Sequence, residues 1–199
     1  MPRKKIEIDG VSRLKEHCLK NEIVDLIEKH KFVEVEIGCG NGHFITHYGI
    51  KNPNRLIIGL DIKKSRCLKT ISKINKRELT NIQIFSTRAE QFLSIIEPES
   101  IDAYHIYFPD PWPKTKHRKR RFLRKPNLDL ISRTMKKKAK LFFATDFFDY
   151  SVQAKLLFIL HPEFSICNDP PPEEAFTSVF ANRFKDWERS IFYIAAEKK

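Results

Sequence analysis

The sequence predicts a doubly wound α/β fold, built on a mostly parallel sheet of about seven strands with an antiparallel edge strand. Three observations lead there. From residue 33 onward, short apolar runs alternate with helix-length stretches, an order that lays strands parallel with helices on both faces. Those runs are largely apolar without alternation, as strands covered on both sides require. The last two runs have only a polar loop between them, containing Asp169-Pro170-Pro171-Pro172, so they pair antiparallel at the sheet edge.

Taken in order, residues 1–31 form a basic lead-in with a helix over Leu19–Lys29. VEVEI (Val33–Ile37) is a strand that ends in glycines. LIIGL (Leu56–Leu60) is the second strand, followed by helical spacing of Ile62, Leu68, Ile71 and Ile74. IQIF (Ile82–Phe85) precedes a helical Ala89–Ile96. IDAYHIYF (Ile101–Phe108) and AKLFFAT (Ala139–Thr145) are the fourth and fifth strands. Val152–Leu160 is helical, and EFSIC (Glu163–Cys167) and SIFYIAAE (Ser190–Glu197) are the closing strands. No internal repeat or low-complexity linker interrupts the 199 residues, so a single domain over 1–199 is expected.

Composition excludes several classes. With 41% apolar and 12% aromatic residues, the chain has the material for a packed core. Its four cysteines, at 18, 39, 67 and 167, include no close pair, which argues against a disulfide scaffold or a zinc cluster. The start, MPRKKIEIDG, lacks the apolar core of a secretory signal, and no apolar run reaches the length of a membrane span. A cytoplasmic protein is expected, without a membrane or an obligatory protein partner, as a monomer or homodimer.

Charge is the sharpest compositional signal. The chain carries a net +12, and residues 111–140 alone hold 13 Lys/Arg against one acid, Asp129. Basicity concentrated in this way predicts one patch for a polyanion on an otherwise balanced domain.

Two motifs carry chemistry. After the first strand comes Glu36-Ile37-Gly38-Cys39-Gly40-Asn41-Gly42. A dinucleotide fingerprint would need Gly five residues after Gly38, where His43 stands. The pattern resembles instead the S-adenosylmethionine turn of class I methyltransferases, where the carboxylate at Glu36 suits a ligand ammonium group and would repel a pyrophosphate. Asp61, at the end of the second strand, is placed to accept hydrogen bonds from ribose hydroxyls. His43 and His47 lack the Glu of a zincin motif, since Phe44 stands in its place, and no metal is expected.

The second motif follows the fourth strand. Pro109, Pro111 and Pro113 stiffen a loop around Asp110 and Trp112 at the carboxyl edge of the sheet, where open α/β folds bind ligands. Lys114-Thr115-Lys116-His117-Arg118-Lys119-Arg120-Arg121 follows at once, so the loop and basic segment together span 109–127. Arg118, Arg120 and Arg121 are thus placed to bind a phosphate backbone passing over the site.

The segment FPDPWPKTKHRKRRF (Phe108–Phe122) resembles the signature of the bacterial-type tRNA (guanine-N7)-methyltransferases, and the resemblance runs from about Val33 to Ala196. It implies a Rossmann-like class I methyltransferase fold and transfer of a methyl group from S-adenosylmethionine to N7 of a tRNA guanine. By resemblance, that guanine lies in the variable loop, at position 46. The resemblance also implies that Glu36, Gly38, Asp61, Arg88, Ala89 and Asp110 contact the cofactor. Asp110 would act in catalysis as well, and Lys114, Asp146 and Thr177 would touch the substrate. Two positions depart from the family pattern. Arg88 stands where Asp or Asn is usual, and the loop Thr177–Ala181 lacks a Glu.

Rival readings differ at identifiable residues. Exocyclic-amine methyltransferases carry [DNS]-P-P-[YFW] after the fourth strand, whereas Asp110-Pro111-Trp112-Pro113 has another order. A non-catalytic RNA-binding module on the same fold would have no need of Glu36, Asp61 and Asp110 together.

Overall fold

The computed structural model describes residues 16–177 and 190–199, with side chains from 20 to 176 and from 190 to 199. Seven strands form one sheet: β1 (Val33–Ile37), β2 (Leu56–Asp61), β3 (Ile82–Ser86), β4 (Ile101–Tyr107), β5 (Met135–Thr145), β6 (Phe164–Cys167) and β7 (Phe192–Lys198). Their order is β3-β2-β1-β4-β5-β7-β6. The first five run parallel, whereas β7 pairs antiparallel with both β5 and β6. The expected antiparallel pair is therefore at the edge, with β7 inserted between β5 and an outermost β6.

Helices α1 (Glu16–Glu28), α2 (His43–Lys51), α3 (Lys64–Lys76), α4 (Ala89–Ile95), α5 (Lys125–Thr134) and α6 (Phe148–Leu160) complete the order. The larger core joins Val33, Val35, Leu56 and Tyr104 of the sheet to Phe92 of α4, Leu128 of α5 and Phe158 of α6. A smaller core on the opposite face joins Ile57 and Ile84 to Phe44 of α2 and Ile74 of α3. Strand order reverses between β1 and β4, because β2 leaves β1 on one side and β4 returns on the other. The chain ends at the carboxyl edge diverge there and open a crevice.

β1 alternates apolar and acidic residues, yet all five are buried. Burial of an acid requires partners, and Glu34 has them. His105 Nε2 lies 2.8 Å from Glu34 Oε2, and the Arg55 guanidinium binds Glu34 Oε1. Burial alone would push this carboxyl up, but the hydrogen bond and charge of His105, with Arg55, hold it at about 2. Because the folded-state value lies below the ordinary 4.5, the stability Glu34 contributes is present above pH 4.5 and is lost as pH falls towards 2. Glu34→Gln should cost about 3 kcal/mol at neutral pH by breaking a buried pair. Urea melts of the variant should then show a flatter acid limb over that window.

The basic region differs from expectation. Residues 125–127 are the first turn of α5, with Pro126 in a position that needs no amide hydrogen, so the basic loop ends at Arg124. β5 starts four residues earlier than expected, at Met135, and its pairing with β4 slips between Ile101 and Ala103. Lys136, Lys137 and Lys138 lie in that slip, and Lys136 bonds Asp102 at the amino end of β4. The 111–140 charge is therefore two clusters. α5 carries the chain back across the sheet, leaving Lys114–Arg124 by the crevice and Lys136–Lys138 at the far end of β5, more than ~20 Å away.

Candidate active site

The crevice holds about 630 Å³ and is built from the carboxyl ends of four strands. β1 contributes Gly38, β2 contributes Asp61, and the turn after β3 contributes Arg88 and Ala89. Asp110 and Trp112 enter from the proline loop, and Arg120 and Arg121 from the basic segment. Of the six residues expected at a cofactor, Gly38, Asp61, Arg88, Ala89 and Asp110 line this crevice and Glu36 does not.

The glycine turn is needed for its backbone. Gly38, Gly40 and Gly42 have φ of +83°, +54° and +73°, a region that costs side-chain-bearing residues energy. At Gly42 there is also no space, since a Cβ would lie 2.5 Å from Thr70 Cγ2. At Gly38 nothing stands within 4 Å of where a Cβ would point, so its bare backbone leaves open room beside the crevice.

Asp61 is engaged through both of its oxygens. Its Oδ2 accepts from the Gly40 amide at 3.0 Å and its Oδ1 from the Lys63 amide at 2.7 Å, so it braces the turn. A carboxylate has about four lone-pair positions, which leaves capacity for ligand hydroxyls. Thr70, absent from the sequence reading, holds the turn from α3 by donating to the Gly40 carbonyl at 3.0 Å.

Glu36 is buried in β1 two residues before Gly38; it is not among the residues lining the crevice, and its Oε2 has no hydrogen-bond partner. Burial, reinforced by the charge of Asp61, pushes its carboxyl up to about 8 against the opposing hydrogen bond from the Ile45 amide. An orphaned, desolvated carboxyl of this kind gains from a nearby cation, which would supply the charge balance that the protein withholds.

The proline loop is strained on either side of Asp110. Phe108 and Trp112 adopt φ of +51° and +44°, each costing on the order of 1–3 kcal/mol. Asp110 is exposed between them on the crevice wall. The Arg120 guanidinium lies 4.9 Å from the Trp112 ring centroid, and the His117 ring approaches Trp112 edge-on. Tyr107, which sequence reading missed, lines the crevice with its hydroxyl 2.9 Å from His105 Nδ1. The signal available was β1 itself, since two acids alternating along a buried strand need partners on the next strand.

The remaining expected site residues are engaged in different ways. Lys114 caps the 3₁₀ turn Thr115–Arg120 through its carbonyl, and Lys114, Asp146 and Arg118 are not among the residues lining the crevice. Arg118 pairs with Asp149 at 2.9 Å. Arg88 is largely exposed, and Nε lies 4.0 Å from Glu90 Oε2. Arg121 departs most from its expected role as a backbone-binding cation. It is 1% exposed and fully engaged inside the protein, because a buried guanidinium requires internal acceptors. The Thr177 side chain and the loop to Ala181 lie outside the described residues. Among the described residues no group of three or more His, Cys, Asp or Glu could hold a metal ion, and no helix is long and apolar enough to cross a membrane.

Comparison with solved structures supports the fold. An antibiotic-related methyltransferase superposes with a TM-score of 0.63 at 23% identity, covering 94% of this chain and 96% of that one. The 16S rRNA methyltransferase KamB gives 0.68 at 16% identity, covering 90% and 93%. Among curated proteins, the tRNA (guanine-N(7)-)-methyltransferase of Agrobacterium fabrum is 36% identical over 118 residues, 59% of this chain and 51% of its own length. That of Streptococcus pyogenes serotype M6 is 33% identical over 131 residues, 64% and 62% respectively. The chain thus aligns with between half and two thirds of the length of these relatives. A family model described as "Putative methyltransferase" matches residues 30–187, which takes in the glycine turn, Asp61 and the whole proline–arginine segment. The chain belongs to this methyltransferase family.

Proposed function

We propose that the protein transfers a methyl group from S-adenosylmethionine to N7 of a guanine in tRNA, in the cytoplasm and without a metal. The observation that carries this is the position of Asp110, exposed on the wall that also holds Gly38 and Asp61 and followed at once by the basic 3₁₀ turn. The two relatives' shared name supports the substrate, and the resemblance of Phe108–Phe122 supports the variable-loop guanine. In an exocyclic-amine enzyme the target nitrogen carries protons that must leave, whereas N7 of guanine has a free lone pair.

The residues fit the methyl donor. Glu36 has an unpartnered buried oxygen for an ammonium group, Asp61 has spare acceptor capacity for ribose hydroxyls, and Gly38 leaves open space at the crevice. When bound, S-adenosylmethionine supplies an electrophilic methyl group on a sulfonium. The chain's own task is alignment, together with stabilisation of the positive charge that develops on the purine. Asp110 carries the negative charge nearest that task. Trp112 offers a ring at the crevice on which an unstacked base can lie.

The decisive experiment is methylation of unmodified tRNA followed by nucleoside mass spectrometry. Formation of 7-methylguanosine supports the proposal, whereas methyladenosine, methylcytidine or no product refutes it. The Glu36 assignment has its own measurement. At pH 7 a carboxyl titrating near 8 is mostly protonated, so binding a cation drives its proton off. Calorimetry of S-adenosylmethionine binding in buffers of different ionisation enthalpy should show about one proton released per site at pH 7. Glu36→Gln should abolish that release, and a wild-type slope of zero would remove Glu36 from the ammonium site.

A further inference from the structure

We infer that Arg121 is a positioning residue that clamps the strained proline loop to α6 and so holds Asp110 at the crevice. Arg121 ends the basic run in sequence, but its side chain turns inward. Nε donates to the Pro111 carbonyl at 2.8 Å, Nη1 to Gln153 Oε1 at 2.6 Å and Nη2 to Asp149 Oδ2 at 2.7 Å. Its guanidinium also lies 4.7 Å from the Tyr150 ring centroid and 5.7 Å from that of Phe147. Every group except Pro111 belongs to the entry or first turns of α6. One planar cation therefore spans from the loop that carries Asp110 to the helix that follows Asp146.

The clamp is placed where the loop stores strain. Pro111 lies between Asp110 and Trp112, and positive φ at Phe108 and Trp112 brackets all three. Such backbone persists only where its surroundings over-determine it. Pro111 has no amide hydrogen, so its carbonyl is its only backbone hydrogen-bonding group, and Arg121 takes it. The far side is also fixed. The Tyr150 hydroxyl accepts from the Leu123 amide at 2.9 Å, Gln153 Nε2 donates to the Leu123 carbonyl at 3.2 Å, and Asp149 binds Arg118 with its other oxygen. A lysine in place of Arg121 would present a point charge and could not reproduce three diverging hydrogen bonds in one plane.

The kinetic part of this inference rests on the methyl-transfer reading, while the mechanical part does not. The test uses Arg121→Lys and Gln153→Ala, the second removing the Nη1 acceptor of Arg121 together with the hydrogen bond to the Leu123 carbonyl. Each is made in a Trp187→Phe background, which leaves Trp112 as the only tryptophan. Acrylamide quenching of Trp112 should rise in both. Cofactor Kd should stay within about threefold, since Glu36 and Asp61 are untouched, while kcat for tRNA methylation falls by about 10²-fold in Arg121→Lys, the loss typical of a small misplacement of reacting groups. Gln153→Ala should move both readouts in the same direction by less. Unchanged Trp112 quenching in the folded variants overturns the clamp, whatever the reaction. Raised quenching with unchanged kcat overturns the positioning role. If the parent makes no 7-methylguanosine, the functional reading fails by itself, and quenching alone decides the clamp. If Arg121→Lys does not fold, Gln153→Ala decides it.

Discussion

Asp110→Asn should lower kcat for guanine methylation by about 10²-fold or more, the loss expected on deleting one preorganised electrostatic group. The substitution keeps shape and one acceptor oxygen but removes the charge. The loop that holds Asp110 is already ordered by three prolines, two left-handed residues and the Arg121 hydrogen bond to Pro111. Little freedom remains to be lost on reaction, so the carboxylate acts from a prepared position. Substrate KM should change much less than kcat, because a charge that develops only in the transition state is felt only there. Steady-state kinetics with tRNA and cofactor both varied is the measurement. If activity returns at saturating cofactor, Asp110 is a cofactor-holding residue and its part in the chemical step is withdrawn.

The second large effect concerns RNA affinity. The triple variant Lys116→Ala, Lys119→Ala, Arg120→Ala should reduce the slope of log K against log salt by up to about one unit per lost phosphate contact, and tRNA affinity at low salt should fall by more than about tenfold. These three are exposed in the 3₁₀ turn Thr115–Arg120, and two of them line the crevice. Arg118 and Arg121 are spared because both bind Asp149, so their loss would confound affinity with loop position. A control triple at Lys136, Lys137 and Lys138 tests the far cluster. An unchanged slope in the first triple together with a reduced slope in the control would move the RNA path to the amino end of β5.

Much of the architecture was legible because it depends on local rules. Six of the seven strands begin and end within about two residues of where their apolar runs do, and the glycine turn announced its left-handed backbone through residues that tolerate it. α5 was hidden because Lys-Pro-Asn opens it directly from a basic run, and charge density masked the spacing of Leu128 and Ile131. The early start of β5 was hidden for a related reason, since Met135–Lys138 sits in a register slip where lysines point outward.

At the site, sequence alone determined the chemical inventory: an acid before three glycines, a second acid ending the next strand, a proline-bound aspartate and a basic run beside it. Those are properties of residue type and spacing, which do not depend on what lies across the fold. Tertiary structure decided which charges are available to a ligand. Arg121 and Arg120 are neighbours in the chain, yet one is buried against Pro111 and α6 and the other lies over Trp112 at the crevice. Glu34 and Glu36 are two residues apart on one strand, yet His105 and Arg55 hold the first ionised while burial beside Asp61 pushes the second up to about 8. Whether a charge is spent inside the protein or offered outside depends on partners brought together from distant parts of the chain, and only the packed fold determines those distances.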